Sequence, residues 1–456
     1  MFNVECCPMN LVFKLLYRGY RFISWSTYWT KRRYTLAGQG MLGGVMVAMF
    51  SGLDVENAVG YQAFTLLLAV LLLALLFSLW FRAAFSVERV LPRVATAGQP
   101  FTYRVAVRNL TNKSQAGLTL IEDLADPRPG FKAWRDYKLD ENRHSKPFRL
   151  NRTRLRNPFK IATVKEATVP LLPPQQAGEV AVEMTAWRRG VVRFESVTFA
   201  RPDPFGLYRA LRKMPLPQTV LVLPKRYPLP PIALPGSLKY QQGGVAMASN
   251  IGQSDEFVSL RDYRRGDPPR HIHWRSWAKA GKPIVKEFED EFFVRHALVL
   301  DTFTTRPQSE LFEEAVSVAA SFACTVLTQE SLLDLLFVGA EAYCFTAGRG
   351  LAHADQMLEI LASVQPCHEQ PFAALERAVL EHANVVSGCI CVLLDWDELR
   401  RRFVEKLKVL GLPVIVIVIR PAGETKPLDP GPLADTPASL HSLEIGRIEE
   451  QLAKLT

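Results

Sequence analysis

Two uncharged apolar runs near the start of the chain, Tyr34 to Leu53 and Asn57 to Phe81, are separated only by Asp54, Val55 and Glu56. About 20 predominantly apolar residues cross the hydrocarbon of a bilayer as a helix. Thr65 to Phe77 continues without a charge, so the pattern predicts a transmembrane helical hairpin over 34–81. Gly38, Gly40, Gly43 and Gly44 dilute the first run, and small residues of this kind let paired membrane helices approach closely. A signal peptide is a poor match, because it has one short apolar stretch followed by a cleavage site. Here a basic segment precedes the first run and a longer run follows.

Beyond the hairpin the period changes. Phe101 to Arg108 alternates apolar and polar side chains, as a strand with one buried face does. Gly117 to Glu122, Glu179 to Trp187 and Val191 to Phe199 read the same way, with turn clusters at Asn109 to Ser114 and Asp126 to Gly130. Short strands at such spacing predict an antiparallel β-sandwich over 82–226. A Pro- and Gly-rich linker covers 227–254. After residue 292 continuous apolar strands alternate with amphipathic helices: strands Ala297 to Asp301, Leu332 to Val338, Cys389 to Leu394 and Pro413 to Ile419, with helices Leu311 to Leu327, Ala352 to Val364, Phe372 to Ala383 and Asp397 to Leu410. That alternation predicts an α/β domain over 293–456 with a mainly parallel sheet covered on both faces. Ligands of such sheets bind beyond the carboxyl ends of the strands, where Asp301 and Asp395 fall.

Charge sets the expected orientation. Lys14, Arg18, Arg21, Lys31, Arg32 and Arg33 precede the hairpin, Arg82, Arg89 and Arg93 follow it, and the turn carries only acids. Positive residues stay on the cytoplasmic side, so a multi-pass inner-membrane protein with both termini and its main domains in the cytoplasm is expected. Residues 1–33 then form a cytoplasmic juxtamembrane segment whose mix of aromatic and basic residues suits the membrane interface. Seven cysteines without zinc-site spacing agree with reduced, buried thiols. Between Arg128 and Lys165 twelve basic residues stand against three acids, while the whole chain carries +10. Anionic lipid headgroups beside a tethered domain account for such a stretch more simply than nucleic acid does, so lipid is an expected partner and nucleic acid is not.

The densest motif runs from Asp255 to Phe292. Its order Leu260-Arg261-x-Tyr263-x-x-Gly266-Asp267-x-x-Arg270-x-Ile272-x-Trp274, followed by Ala278-Lys279 and Val285-Lys286-Glu287-Phe288, resembles the signature of the domain of unknown function 58 family. Trp187-Arg188-Arg189-Gly190 and Asp203-Pro204-Phe205-Gly206-Leu207 resemble the end of that family's upstream β domain, and two membrane helices are its usual anchor. The resemblance implies a von Willebrand factor type A-like C-terminal domain and a membrane-tethered interaction protein that works with MoxR-type AAA+ ATPases in assembling or maturing other proteins. Within the signature, Arg261, Tyr263, Gly266, Asp267, Arg270 and Trp274 are the expected partner-binding residues. Asp267 and Arg270 are expected to pair in a buried network with aromatic packing.

A type A metal site uses Asp-x-Ser-x-Ser, a Thr from a second loop and a later Asp. Hard cations need such clustered oxygens. The corresponding positions are Asp301, Phe303, Thr305 and Asp395, and Cys367-His368-Glu369-Gln370 stands where the Thr is expected. Phe303 cannot ligate a metal, so the expectation is a degenerate site, weak for Mg²⁺ or empty even if Glu369 substitutes, and no other cofactor. The competing reading is a metal-dependent hydrolase built on Asp267, His271 and His273, since His-x-His on a strand aims both rings to one side. No third ligand with matching spacing follows, and in the resembling family the position of His273 is usually Asn or Asp. Neither a phosphate-binding Gly-Lys-Ser/Thr loop nor a Gly-x-Ser-x-Gly elbow occurs, and no small-molecule substrate is expected. The reading favoured by these residues is a non-enzymatic scaffold.

Overall fold

The computed structural model describes residues 7–51, 58–81, 83–144, 159–230, 257–265, 267, 269–288, 295–304, 309–328, 332–347, 351–424 and 427–455. Two compact units divide the chain, one comprising 1–226 with 304–313 and 358–366, the other 227–303 with 314–357 and 367–456. Much of the expected linker, the acidic turn of the expected hairpin, half of the basic 128–165 stretch, Gly266 and Thr305 lie outside the described residues.

The first unit opens with helices α1 (Cys7–Arg33), α2 (Leu36–Ser51) and α3 (Ala58–Leu79). Val59–Leu79 is long and apolar enough to cross a membrane. Helix α2 has 16 residues, about 24 Å at ~1.5 Å per residue, which falls short of the ~30 Å hydrocarbon core. A Cβ on Gly44 would stand 3.6 Å from Leu67 Cδ1, an ordinary contact distance, so α2 lies against α3 there without depending on that glycine.

Next come β1 (Phe85–Val90), β2 (Val94–Thr96), β3 (Pro100–Asn109), β4 (Thr119–Leu124), α4 (Phe131–His144), β5 (Ala162–Val164), β6 (Ala167–Thr168), β7 (Ala177–Ala186), β8 (Gly190–Pro202) and β9 (Arg209–Leu223). They form two sheets, β1-β3-β7-β5 and β2-β9-β8-β4-β6, antiparallel except where β2 runs parallel to β9. Alternate residues of both sheets share one core: Tyr103, Val105, Val107 and Val182 from the first, Leu120, Phe194, Phe199 and Val222 from the second. Arg89 on β1 is buried in that core. It meets Glu122 on β4 through Nε and Nη2 at 3.0 and 2.5 Å, and its Nη1 donates to the Leu216 carbonyl and Gln218. With every polar atom engaged, a charged pair is tolerated where a lone charge would not be.

The motif Asp203 to Leu207 is a turn organised by one carboxylate. Asp203 Oδ2 accepts the Phe205 N–H at 2.9 Å, and Oδ1 accepts those of Leu207 and Tyr208 at 2.7 and 2.6 Å. Gly206 has φ +69°, a conformation that glycine adopts without steric cost. The turn offers its Gly206 and Leu207 carbonyls to the start of α2: Thr35 N–H donates to Leu207 at 3.1 Å, its hydroxyl to Gly206, and Tyr34 bridges to Tyr208. Gly38 is required by the same contact, because a Cβ there would fall 2.0 Å from the Leu207 oxygen. Also within the first unit, Arg189 of the second β motif donates to the Leu361 and Val364 carbonyls at 3.1 and 2.6 Å and pairs with Glu313. That motif is therefore a structural clamp.

The second unit contains β10 (Phe257–Asp262), α5 (Trp274–Ala280) and β11 (Ile284–Phe288), a two-stranded ladder carrying one short helix. A six-stranded sheet follows, from β12 (Arg295–Leu300), β13 (Leu332–Val338), β14 (Ala342–Ala347), β15 (Gly388–Leu393), β16 (Val414–Arg420) and β17 (Leu440–Glu444). Its order is β14-β13-β12-β15-β16-β17, parallel except at β14. The helices are α6 (Glu310–Thr328) and α7 (Leu351–Ser363), each of which falls partly in the first unit, and α8 (Ala373–His382), α9 (Glu398–Val409) and α10 (Ile448–Leu452). Ala297, Val299, Cys391, Val416 and Val418 share a core with Leu375 and Val379 of α8 and Phe403 and Leu407 of α9. The intervening Leu298, Leu300, Ile390 and Ile417 are equally buried, so both faces of the sheet are covered. Cys389 and Cys391 are free thiols inside it.

Asp203→Ala leaves three backbone N–H groups in the turn without an acceptor, each worth about 1–3 kcal/mol where buried. Thermal unfolding of the detergent-solubilised chain should show a lower melting temperature for Asp203→Ala and for Gly38→Ala. A wild-type melting temperature in both would contradict this account of the turn.

Candidate functional site

The sheet order fixes where a site can form. From β12 the chain goes outward to β13 on one side and later to β15 on the other, so strand order reverses at the carboxyl ends of β12 and β15. Open α/β sheets hold ligands in the crevice at such a point. Asp301 follows β12 and Asp395 follows β15, as expected.

What surrounds Asp301 differs from a metal loop. Its side chain is fully buried, and its oxygens face three donors. Oδ1 accepts the Phe303 N–H at 3.0 Å; Oδ2 accepts the Leu394 N–H at 3.1 Å and Arg400 Nε at 2.6 Å. Arg400 rises from the first turn of α9, where Asp397 is the N-cap and accepts the Arg400 N–H at 3.0 Å. The same guanidinium donates through Nη1 to Asp397 Oδ2 at 2.8 Å and reaches the Phe303 carbonyl at 3.4 Å. Its carbon lies 5.1 Å from the centre of the Phe372 ring, a cation-π distance. Burial pushes the Asp301 carboxyl up against the pull of Arg400, whereas Arg400, though burial works to lower it, is raised by Asp301 and the neighbouring Asp397 and Asp395. Three donors and no acceptor face Asp301, so carboxylate and guanidinium are the forms this geometry holds.

Aromatic packing fills the rest. The Phe303 ring meets Phe372 edge-on at 5.5 Å, and Phe372 meets Phe403 at 5.7 Å. Cys367, in the second loop, donates its N–H to the Thr302 carbonyl at 2.8 Å and its thiol to the Gly339 carbonyl at 3.2 Å. Glu369 is exposed, as is Asp395, whose Oδ1 accepts the Trp396 N–H at 2.7 Å. These residues do not fit a divalent metal: the first hydroxyl position is a phenyl ring and the buried carboxylate is already satisfied. Among the described residues no group of three or more His, Cys, Asp or Glu side chains is placed to hold one.

In the signature segment Asp267 receives Arg261 in a two-point contact, Nη1 to Oδ2 at 2.7 Å and Nη2 to Oδ1 at 2.8 Å, together with the Arg264 N–H at 2.8 Å. Arg261 is thus a partner of Asp267; the expected pairing with Arg270 falls on a side chain outside the described residues. Nor is the aromatic packing buried as expected. Trp274 is 64% exposed, stacked on Trp277 at 5.1 Å and 17°, and Tyr263 is 37% exposed. The physical reason is local, since α5 has seven residues and none is buried, and a two-stranded ladder has too little surface to enclose an indole. His273 donates its N–H to the Ile284 carbonyl at 2.8 Å, its Nδ1 lies 2.6 Å from Ser276 Oγ, and His271 falls in a 3-10 turn.

A model of the family described as "Protein of unknown function DUF58" matches residues 259–433. That span opens in β10 and includes both clusters. The chain is 29% identical over 210 residues to the "Uncharacterized protein YeaD" of Bacillus subtilis (strain 168), covering 45% of this chain and 50% of that protein. It therefore spans about half the length of that relative. Among solved structures, the CARDB domain of PF1109 from Pyrococcus furiosus matches 30% of this chain and 93% of its own length at 12% identity and TM-score 0.15. Proximal thread matrix protein 1 from the mussel byssus matches 36% and 47% at 12% identity and TM-score 0.25. At these scores the structural likenesses carry no argument.

Arg400 and Asp397 are the site residues the sequence reading missed. The available signal was Asp-x-x-Arg opening the helix after a strand-end acid, which places a cation back over the strand ends.

The Arg261 contact, with the Arg264 N–H, holds the Asp267 carboxyl down at about 2, against ~3.9 in an unfolded chain. A carboxyl whose folded value is depressed stabilises the fold above the unfolded value and loses that contribution as pH falls through the folded one. The pairing therefore acts fully above about pH 4 and is lost between about 4 and about 2. Carbon-13 NMR titration of Asp267 should give a midpoint near the folded value in wild type and a higher one in Arg261→Gln. The same midpoint in both proteins would show that Arg261 is not the cause.

Proposed function

We propose that the protein is a membrane-anchored interaction scaffold without catalytic activity. Its α/β unit, similar to a von Willebrand factor type A domain, recruits a cytosolic MoxR-type AAA+ ATPase for the assembly or maturation of other proteins.

The observation that carries this reading is how the conspicuous acids are used. Asp267 is held by Arg261 and Asp301 by Arg400, so neither is free to act on a substrate. Meanwhile Trp274 stands exposed on the signature segment, which also exposes Arg264, Arg265, Arg275 and Lys279. Tryptophan and arginine supply most of the strong single-residue contributions at protein interfaces. The switch point at β12 and β15, with an acid at each carboxyl end, supports the type A likeness.

Anchoring through a two-helix hairpin is supported by contacts on either side of it. Arg32, before α2, pairs with Asp123 in β4, Tyr17 donates to the Pro129 carbonyl at 2.8 Å, and Tyr34 bridges to Tyr208. Segments that touch lie on one side of a bilayer, so the chain between them crosses an even number of times. With Leu36–Ser51 beside Val59–Leu79, two crossings are the economical number, the short α2 needing a locally thinned bilayer, and the basic flanks favour the cytoplasm for both ends.

Two outcomes test the reading. A reporter active only in the cytoplasm, fused after Thr456, should be active; activity of an export-dependent reporter there would reverse the topology and remove the cytosolic partner. Purified MoxR-type ATPase from the same cell should bind the detergent-solubilised chain, and Trp274→Ala should weaken binding at least about tenfold, roughly 1.4 kcal/mol. A metal-dependent hydrolase activity abolished by Asp267→Asn without loss of fold would replace the scaffold by an enzyme.

A further inference from the structure

We infer that Arg400 is a resident cation: its guanidinium occupies the place at the strand ends that the carboxylates would otherwise offer to a divalent metal. The interactions of the α/β unit are in consequence independent of divalent cations. What a metal would do there rests on the type A likeness proposed above; that Arg400 already engages the carboxylates does not.

Three observations converge on this assignment. Arg400 Nε lies 2.6 Å from Asp301 Oδ2, and Nη1 lies 2.8 Å from Asp397 Oδ2, so one cation bridges the acid after β12 and the acid that opens α9, with Asp395 close enough to add to its electrostatic hold. Both Asp301 oxygens are already engaged from within the protein, because Oδ1 accepts the Phe303 N–H and Oδ2 also accepts the Leu394 N–H. The position that would provide a hydroxyl ligand carries Phe303, and its ring packs on Phe372, over which the guanidinium lies. A phenyl wall is hostile to a hydrated dication and favourable to a weakly hydrated, planar guanidinium.

The two kinds of cation differ in what they do for a partner. A bound Mg²⁺ or Mn²⁺ keeps coordination positions open to an acidic ligand, whereas a guanidinium spends its N–H groups on fixed acceptors in a set plane. Here Nε, Nη1 and Nη2 all have acceptors inside the protein. The crevice at the switch point is therefore satisfied from within. A metal-bridged grip on a partner's carboxylate is closed to this domain, and recognition shifts to its other surfaces.

Removing the guanidinium should expose the acids to solution cations. Isothermal titration with Mn²⁺ and thermal unfolding with Mg²⁺, Mn²⁺ or EDTA are carried out on the detergent-solubilised full chain. Wild type should show no saturable Mn²⁺ binding in the micromolar range and the same melting temperature in Mg²⁺ and EDTA. Arg400→Ala should melt lower in EDTA, regain part of the difference in Mn²⁺, and bind Mn²⁺ at least tenfold more tightly than wild type. Arg400→Lys keeps a tethered cation and should remain insensitive to metal. Micromolar binding by wild type that disappears in Asp301→Asn would overturn the inference, as would an Arg400→Ala protein that is folded and indifferent to Mn²⁺. Should Arg400→Ala not fold, wild type and Arg400→Lys decide alone: metal sensitivity in either rejects the resident cation. The titration contains no partner, so failure of the scaffold reading would leave its result unchanged.

Discussion

The α/β unit is organised around a carboxylate that is fully buried and therefore has to be answered. Asp301 lies where strand order reverses, with backbone N–H groups on two sides and Arg400 on the third. In a low-dielectric interior an unanswered carboxylate is strongly unfavourable, so the position of Arg400 sets much else. It requires α9 to begin directly after β15, with Asp397 as its cap. It requires Phe372 at the start of α8, under the guanidinium. Phe303 then closes the remaining space. Helix, loop and strand ends are held in one arrangement by a single ion pair and the aromatic rings beside it.

The first unit solves an analogous problem with a different acid. Asp203 gathers three backbone N–H groups of a tight turn, which frees the carbonyls of Gly206 and Leu207 to receive the chain at the start of α2. Gly38 permits that approach and Gly206 permits the turn. The conspicuous motifs of the β region thus read as joints: one ties the sheet to the helices before it, and Arg189 clamps the Leu361 and Val364 carbonyls. The same logic operates in the signature segment, where Asp267 and Arg261 fix the loop that leads to α5 and its exposed Trp274. In that segment charged residues fix the backbone, and a large aromatic side chain, Trp274, is left at the surface.

The strands and helices of the α/β unit were legible because period and burial coincide there. Leu332 to Val338 is a strand with the predicted bounds, and the helix predicted from Leu311 to Leu327 extends by one residue at each end. The antiparallel edge strand Ala342–Ala347 was not legible, since Glu341 and Tyr343 break the apolar run that marks buried strands. Nor was the helix Phe131–His144, hidden in a stretch that reads as charge. At the candidate site the acids were found and their partners were not. An apolar pattern shows which residues are buried, but pairing depends on which cation the fold brings back from a distance: 99 positions separate Asp301 from Arg400. For Asp267 the nearer cation in sequence, Arg270, was the natural choice, and the contact from Arg261, on the strand at the other side of the turn, was not legible.

The central claim is that Asp301 and Arg400 act as one unit, and a double-mutant cycle on the unfolding free energy of the detergent-solubilised chain measures that directly. Arg400→Met leaves the buried Asp301 without a countercharge and should lose about 3–5 kcal/mol, and Asp301→Ala, which leaves Arg400 paired only with the part-exposed Asp397, should also destabilise the fold. The double variant should lose far less than the sum of the two, because no charge is then left alone. Losses that add to within about 0.5 kcal/mol would show the two residues to be independent, and the account of the site would fall with them.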